Sequence, residues 1–561
     1  MKRKIVLSFT LLILTFQYTL GKSSSFPKNI IISYVDPLEK IMKEQSYFPD
    51  QPAFANVCKG EYATFQFVFR NPSATEGLSI SVSPVITENS RLIPKVYFED
   101  YVKNGRNTPN PSRDRIPSPS GWYPDPIVPA SKRDIAPLDN QPVWISLKIS
   151  EDIKPGLYKT NVVFSGNSDG KKFSIKKEIS IKVYDIKLPE QKLWVTNWWF
   201  ASSDKLKLLN GGKDVAKYSD LYWKIIGLFA EKMKEYRQNV VLISPMELTL
   251  FKKNGKEYSF DFSNFDKTVN IFLENGGMKR IEGGHLGGRL GGWKSDFGLQ
   301  VPMFIGDSTY TKILSIEDTL VKEFYGQFLP AFNMHLKEKG WDRIYVQHIA
   351  DEPIEFNKES YKAMVSFVRS GLPKTPIIDA DQTTGIAGNI DIWVPQLNFL
   401  KNDLSFYEQQ IKEGKEVWFY TCLEPQGNYP NRFIELPLIE TRLLHWINYK
   451  YGITGYLHWG YNYWGNDPYG DVSGMFEGCQ VLPAGDSHIA YPGKMEINGS
   501  IRLEAMRDGI VDYELLRMLG EKKPEKAKEI VNSMVADFER FDCSIKSFRE
   551  KRQWLLELLS Q

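Results

Sequence analysis

Two rhythms of apolar and polar residues divide the chain. From about Phe26 to Pro189 apolar and polar positions alternate over short runs: ATFQFVFRN (63–71), PVWISLKIS (142–150), GLYKTNVVFSG (156–166) and FSIKKEISIKVYDI (173–186). Period-two runs rich in β-branched and aromatic residues, bounded by Asn, Gly and Pro, predict half-buried strands. No helical period of useful length interrupts them, so residues 22–190 are expected to form an all-β sandwich. A proline-rich connection from about Asn107 to Pro142 contains PSPSGWYPDPIVP, and its prolines argue against a regular ladder. A loop this long is expected to dock on the next domain, with Trp122 and Tyr123 as buried anchors.

After Gln191 the rhythm changes to apolar runs separated by helical stretches near 219–238, 316–339 and 357–369. The runs are LWVTNWWF (193–200), NVVLISP (239–245), RIEGGH (280–285), RIYVQHIADEP (343–353), TPIIDADQ (375–382), IDIWVPQ (390–396), EVWFYTC (416–422) and GITGYLHWGYNYW (452–464). Continuous apolar strands are what a parallel sheet, covered on both faces, requires. Eight such units predict a (β/α)8 TIM-type barrel over residues 191–498. A doubly wound open sheet is the alternative, but no Gly-rich nucleotide fingerprint opens the first unit. Residues 499–561 read as helices packed on the barrel, with Leu503, Met506, Ile510, Tyr513 and Leu516 on one buried face. The acidic row Glu504, Asp508 and Asp512 on that helix is read as structural.

The first residues, MKRKIVLSFTLLILTFQYTLGKSSS, pair a basic start with an apolar run too short to span a bilayer, followed by small residues. A cleaved secretory signal over residues 1–21 is expected, and with it export to a periplasm or beyond. No later run is apolar enough for membrane insertion, and a net charge of +3 over 561 residues gives no case for nucleic acid. The four cysteines are scattered; Cys422–Cys479 is the one disulfide left open, and nothing in the spacing demands it. Zinc-type and EF-hand spacings are absent, so neither a metal site nor a cofactor is expected. The 14 Trp, 28 Tyr and 33 Phe suit stacking on sugars as well as large cores.

Candidate chemistry concentrates at strand ends, the working face of a barrel. The fourth strand delivers His348, Asp351 and Glu352 before Pro353. Strict alternation would turn Asp351 away from Glu352, but alternation relaxes at a strand terminus and both carboxylates can reach one ligand. Most glycosidases place two carboxylates about 5–9.5 Å apart across the scissile bond, which neighbours on one strand do not do. An adjacent pair suits attack by a substrate's own 2-acetamido oxygen. Glu352, protonated, would then donate to the leaving oxygen, and Asp351, ionised, would accept from the acetamido N–H. The alternative is an acidic pair that complements the dipole of the following helix.

Around this pair, Trp459, Tyr461 and Asn462 at the end of the eighth strand are candidate sugar contacts. Tyr420 or Tyr461 is the candidate donor to the acetamido oxygen. GGHLGGRLGGW (283–293), with six glycines, is expected to be a mobile loop presenting His285, Arg289 or Trp293. Trp198 and Trp199 close the first strand, and one of them is expected as a pocket wall or floor.

HIADEP, GYLHWGYNYWGNDPY (455–469), GDSHIAYPG (485–493) and SIRLEAMRDGIVDYELL, in that order, resemble glycoside hydrolase family 123. The sandwich with its GWYPDP segment resembles the same family's amino-terminal domain. The resemblance implies an exo-acting, retaining β-N-acetylhexosaminidase that uses substrate-assisted catalysis, with N-acetylgalactosamine the preferred sugar. It implies Glu352 as acid/base, Asp351 as the acetamido-orienting residue, and a glycan ending in β-linked N-acetylhexosamine as substrate. Two other readings stay open. One is a glycosidase for a sugar lacking the acetamido group, using Asp379, Asp381 or Glu424 as a second carboxylate; the other is a non-catalytic glycan-binding protein.

Overall fold

A computed structural model describes residues 29–305, 308–475 and 481–561; the expected leader and Cys479 lie outside the described residues. The first half is β-rich. A seven-stranded antiparallel sheet runs in the order Ile31–Val35, Tyr62–Arg70, Asn140–Lys148, Lys95–Lys103, Trp122–Pro129, Glu496–Ser500, Tyr491–Gly493. A five-stranded sheet runs Ala53–Lys59, Lys171–Lys187, Gly156–Ser168, Thr75–Val82, Arg133–Ile135. The two share one core, in which the Phe67 and Phe164 rings meet edge-on at 5.8 Å and Phe69 stacks on Phe173 at 5.9 Å. Alternation selects the faces: Val143, Ile145 and Leu147 point into that core, while Trp144 joins the core of the C-terminal region. A strand buried on both faces is therefore the seam between the two halves.

The C-terminal region is α/β. Its parallel strands are β1 (Trp194–Asn197), β2 (Val240–Leu242), β3 (Arg280–Gly283), β4 (Tyr345–Gln347), β5 (Ile378–Asp381), β6 (Ile392–Pro395), β7 (Glu416–Tyr420) and β8 (Gly455–His458). Each of the eight expected runs thus contains a strand. They form a five-stranded sheet, β1-β8-β7-β6-β5, and a three-stranded one, β2-β3-β4. Hydrogen bonds cross both gaps between the sheets. Gln347 N–H donates to the Pro376 carbonyl (2.9 Å), and Asn239 N–H donates to the Val195 carbonyl (3.3 Å). The helices Asp220–Glu235, Thr319–Glu338 and Lys358–Gly371 fall where the apolar period places them. The chain ends in helices Ile501–Lys522, Pro524–Met534 and Ile545–Ser560. Among the described residues no helix is long and apolar enough to cross a membrane.

Three sequence expectations change. Trp122–Pro129 is a strand, not loop, paired with Lys95–Lys103. Its prolines are tolerated because Pro124 and Pro126 take alternate positions and the register shifts between Glu99 and Tyr101. Only Tyr123 of the two expected anchors is fully buried; Trp122 is half-buried. Residues 107–121 do dock on the C-terminal region: Thr108 N–H donates to Glu435 (3.1 Å) and Ile116 N–H to the Glu435 carbonyl (2.9 Å).

The glycine segment is also ordered. Gly287–Arg289 pairs with Phe297–Ile305, which pairs in turn with Ser308–Leu314. Its glycines serve close approach: a Cβ at Gly287 would lie 2.3 Å from the Gly298 carbonyl oxygen, and one at Gly283 would lie 2.0 Å from the Tyr345 hydroxyl. Finally, the boundary expected at residue 498 falls inside the strand Glu496–Ser500, which belongs to the sandwich sheet and pairs Gly499 with Ile127.

Candidate active site

A cleft of about 1900 Å³ opens at the C-terminal ends of the parallel strands. Trp198, His285, Gln382, Tyr420, Trp459 and the pair Asp351–Glu352 line it, drawn from the ends of β1, β3, β5, β7, β8 and β4. Convergence of so many strand ends on one concavity is the arrangement that places catalytic groups in parallel α/β folds.

The pair reaches one cleft through an uncommon backbone turn. Glu352 has φ +50°, in the left-handed region. A non-glycine residue there costs about 1–3 kcal/mol and persists only where its surroundings fix it. Those surroundings are visible. Glu352 N–H donates to the Ala380 carbonyl (3.1 Å). The Arg289 guanidinium donates to the backbone carbonyls of Asp351 (3.0 Å) and Glu352 (2.7 Å) and stacks on Trp293 at 3.8 Å. Alternation alone would send the two side chains to opposite faces; the turn undoes it.

The two carboxyls differ in surroundings. The Tyr420 hydroxyl donates to Glu352 Oε1 and accepts from Gln382 Nε2 (3.2 Å). Burial, then the neighbouring Asp351 charge, pushes Glu352 up to about 7, against the opposing pull of the Tyr420 hydrogen bond. Asp351 keeps 53 % of its side chain exposed within the cleft. Displacement of bulk water by the surrounding protein raises it to about 6; Arg289 opposes the rise and Asp379 adds to it. The two neighbouring carboxyls titrate as a pair, both above the ordinary carboxylate range.

Beneath the pair lies a buried polar chain. His348, fully buried, shares a 3.0 Å hydrogen bond from Nδ1 with Asp379, and its Nε2 faces Glu282 at 3.9 Å. Burial alone would lower His348, but the two carboxylates outweigh it and lift it to about 9. Asp379 also accepts from Ile349 N–H (3.0 Å) and from the Tyr361 hydroxyl (2.6 Å). His285, His348 and Asp379 have ligand atoms within 4.8 Å of one another. However, both His348 nitrogens already face carboxylates, an arrangement that a proton satisfies.

Other expected residues divide. Trp198 lines the cleft and donates its indole N–H to Glu282 (3.1 Å). Trp459 lines it and donates to both oxygens of Asp486 (3.1 and 3.2 Å). Tyr420 lines the cleft and bonds Glu352. Tyr461 and Asn462 are not brought to the cleft. β8 ends at His458, and beyond it Tyr461 packs its ring toward Phe229 (6.3 Å) while Asn462 pins Phe200 through N–H and carbonyl (2.8 Å each). His348 lies below the cleft floor as described.

Of the alternative carboxylates, Asp379 and Asp381 are fully buried, Asp381 accepting from Val394 N–H (2.9 Å) and Tyr407 (3.1 Å); Glu424 lines the cleft. Sequence reading misses Gln382, Glu282 and Asp486. Their signal was the same one that marks Asp351, a polar residue at a strand end or, for Asp486, inside the GDSHIAYPG segment.

Known proteins give this geometry its family. The solved structure of a family 123 glycoside hydrolase from Clostridium perfringens, described in work on glycolipid glycan hydrolysis, superimposes with TM-score 0.72 at 18 % identity, covering 95 % of this chain and 97 % of that one. A Dictyoglomus thermophilum β-D-glucuronidase gives TM-score 0.31 at 9 % identity over 78 % of this chain and 68 % of its own. A Bacteroides vulgatus family 5 glycoside hydrolase gives 0.30 at 11 % over 59 % and 68 %. No curated protein matches the sequence. The glycoside hydrolase 123 N-terminal domain matches residues 46–165 and the glycoside hydrolase 123 catalytic domain residues 209–519. The chain belongs to glycoside hydrolase family 123 and is a glycoside hydrolase.

Proposed function

We propose that this enzyme is an exo-acting, retaining β-N-acetylhexosaminidase, preferring N-acetylgalactosamine and working through the substrate's 2-acetamido group. The observation that carries the reading is the left-handed turn at Glu352, which opens two adjacent carboxylates onto one cleft while a phenol touches only one of them. In the first step the acetamido oxygen attacks the anomeric carbon and the glycosidic C–O bond breaks. Glu352 gives its proton to the leaving oxygen, and ionised Asp351 accepts from the acetamido N–H as positive charge develops on the oxazolinium. In the second step Glu352, now a carboxylate, takes a proton from water as that water attacks the same carbon. Two inversions leave the configuration retained.

The two parallel sheets, bonded across both gaps, support a single closed (β/α)8 barrel as the frame of this site. We also propose that the protein is exported, on the strength of its basic and apolar first residues. A glycan of the glycolipid kind named for the Clostridium perfringens enzyme, ending in β-linked N-acetylhexosamine, is the proposed substrate class. Glu424, which faces the cleft, favours one competing reading: a two-carboxylate glycosidase for sugars without the acetamido group.

Hydrolysis of paired aryl β-glycosides separates the two. The N-acetylgalactosaminide should be cleaved and the plain galactoside spared. Glu352→Gln should lose turnover most on poor leaving groups, and Asp351→Asn on every acetamido substrate. Equal cleavage of galactoside and N-acetylgalactosaminide, with Asp351→Asn fully active, would put Glu424 in the leading role.

A further inference from the structure

We infer that His285 is a positioning residue for Asp351, holding one carboxylate oxygen through Nε2–H so that the other faces the substrate, and that the buried Glu282–His348–Asp379 chain fixes His285 in turn. The inference rests on the reading of Asp351 and Glu352 as the working pair. It starts from a geometric mismatch: Arg289, the guanidinium beside Asp351, bonds the backbone carbonyls. The side-chain nitrogen facing the Asp351 carboxylate is His285 Nε2, 3.8 Å from Oδ1 and 3.7 Å from Asp379 Oδ1. A ring nitrogen set between two carboxylate oxygens carries the hydrogen, which decides the tautomer.

The ring's orientation is fixed from three sides. It meets Trp198 edge-on at 5.4 Å and lies 5.0 Å from the His348 ring. Asp379 is held by Ile349, Tyr361 and His348. The contacts at 3.7–3.8 Å are long for hydrogen bonds. Catalytic contacts often tighten only when substrate closes the site.

His285 also has a suitable charge state. Burial, with the cationic His348 beside it, holds its imidazole down to about 3, so it donates without carrying a charge. A neutral donor orients Asp351 and favours its ionised form, yet leaves the carboxylate able to accept the acetamido N–H. The charged groups that face Asp351 are Glu352 and His348 from its own segment, Arg289 from the glycine-rich strand and Asp379 from β5. Of these, Asp379 and Glu352 disfavour its ionisation, so a donor on Asp351 has something to counter.

The test is kcat and KM across pH for His285→Leu and His285→Gln beside Asp351→Asn, on an aryl β-N-acetylgalactosaminide. His285→Leu should lower kcat about tenfold to a hundredfold, the worth of one hydrogen bond to a charged group, with KM little changed. Its acidic limb should move to higher pH, because the ionised carboxylate has lost a donor. His285→Gln, whose amide N–H reaches the same place, should restore most of both. If His285→Leu does not fold, His285→Asn, polar but too short to reach, takes its place with the same expected loss. Should the folded non-donor variant keep the parent's kcat and acidic limb while Asp351→Asn is dead, the inference falls and the pair stands. Full activity in Asp351→Asn, or no acetamido-sugar cleavage by the parent enzyme, removes the pair and His285's role together.

Discussion

Tyr420 and Glu352 set the residue scale. The active form of the proposed pair carries one proton, with Glu352 protonated and Asp351 ionised. Activity should therefore rise as the pair gives up its first proton and fall as it gives up the second, both above the ordinary carboxylate range, giving a narrow bell. The Tyr420 hydroxyl donates to the ionised form of Glu352 and so lowers it. Tyr420→Phe removes that donor, and the alkaline limb of kcat/KM should move to higher pH; a limb that stays put would mean Glu352 is not the titrating acid. Trp198, His285, Asp351, Glu352, Tyr420 and Trp459 were legible as strand-end residues, because the C-terminal end of each strand is defined by sequence period. Tyr461 and Asn462 were not, since beyond His458 the strand has ended and alternation no longer tells which way a side chain points. The route by which Asp351 and Glu352 share a cleft was hidden for a related reason. No local pattern marks Glu352 for positive φ; the groups that fix it, Arg289 and Ala380, are distant in sequence.

At the scale of elements, the glycine-rich strand is what brings Arg289 under the pair. Gly287 sits where a Cβ would meet the Gly298 carbonyl oxygen and Met364 Cε at 2.3 Å each. The backbone neighbour has nowhere to go, so Gly287→Ala should destabilise by about 1–3 kcal/mol, the usual cost of overpacking. It should also lower activity as Arg289 shifts, which thermal unfolding and turnover of the same preparation would reveal. Unchanged stability would mean the strand pairing bends freely. This element read as a loop because six glycines weaken any strand pattern, whereas their close contacts are tertiary and leave no periodic trace. The eight parallel strands were readable for the opposite reason: burial on both faces writes a continuous apolar run into each.

Across the whole molecule, buried ion pairs lock the β-rich half to the C-terminal helices. Arg552 bonds Asp512 (2.9 Å) within the helical region and Glu61 in the sandwich, while Arg502 grips Asp125 through two bonds (2.7 and 2.8 Å). Removing one partner leaves uncompensated buried charge. Arg552→Met should cost about 3–5 kcal/mol, visible as a lower thermal midpoint, whereas an intact midpoint would mean the interface is wet. The Arg552–Glu61 and Arg502–Asp125 contacts join residues hundreds apart, which is why the sequence divided the chain at 190 and 498 while the sandwich sheet does not respect the second boundary.

That returning strand has a consequence in time. A chain that emerges from its amino terminus presents Trp122–Pro129 long before Glu496–Ser500, so a sandwich that folds as it emerges has an edge awaiting its neighbour. Domains ordinarily fold in turn from the amino terminus, and an open edge is where nascent chains stick to one another. The strand Trp122–Pro129 carries Pro124, Pro126 and Pro129, and a proline offers no N–H to a stray strand. The prolines that looked like a reason to deny the strand are then what guards it until Glu496–Ser500 arrives.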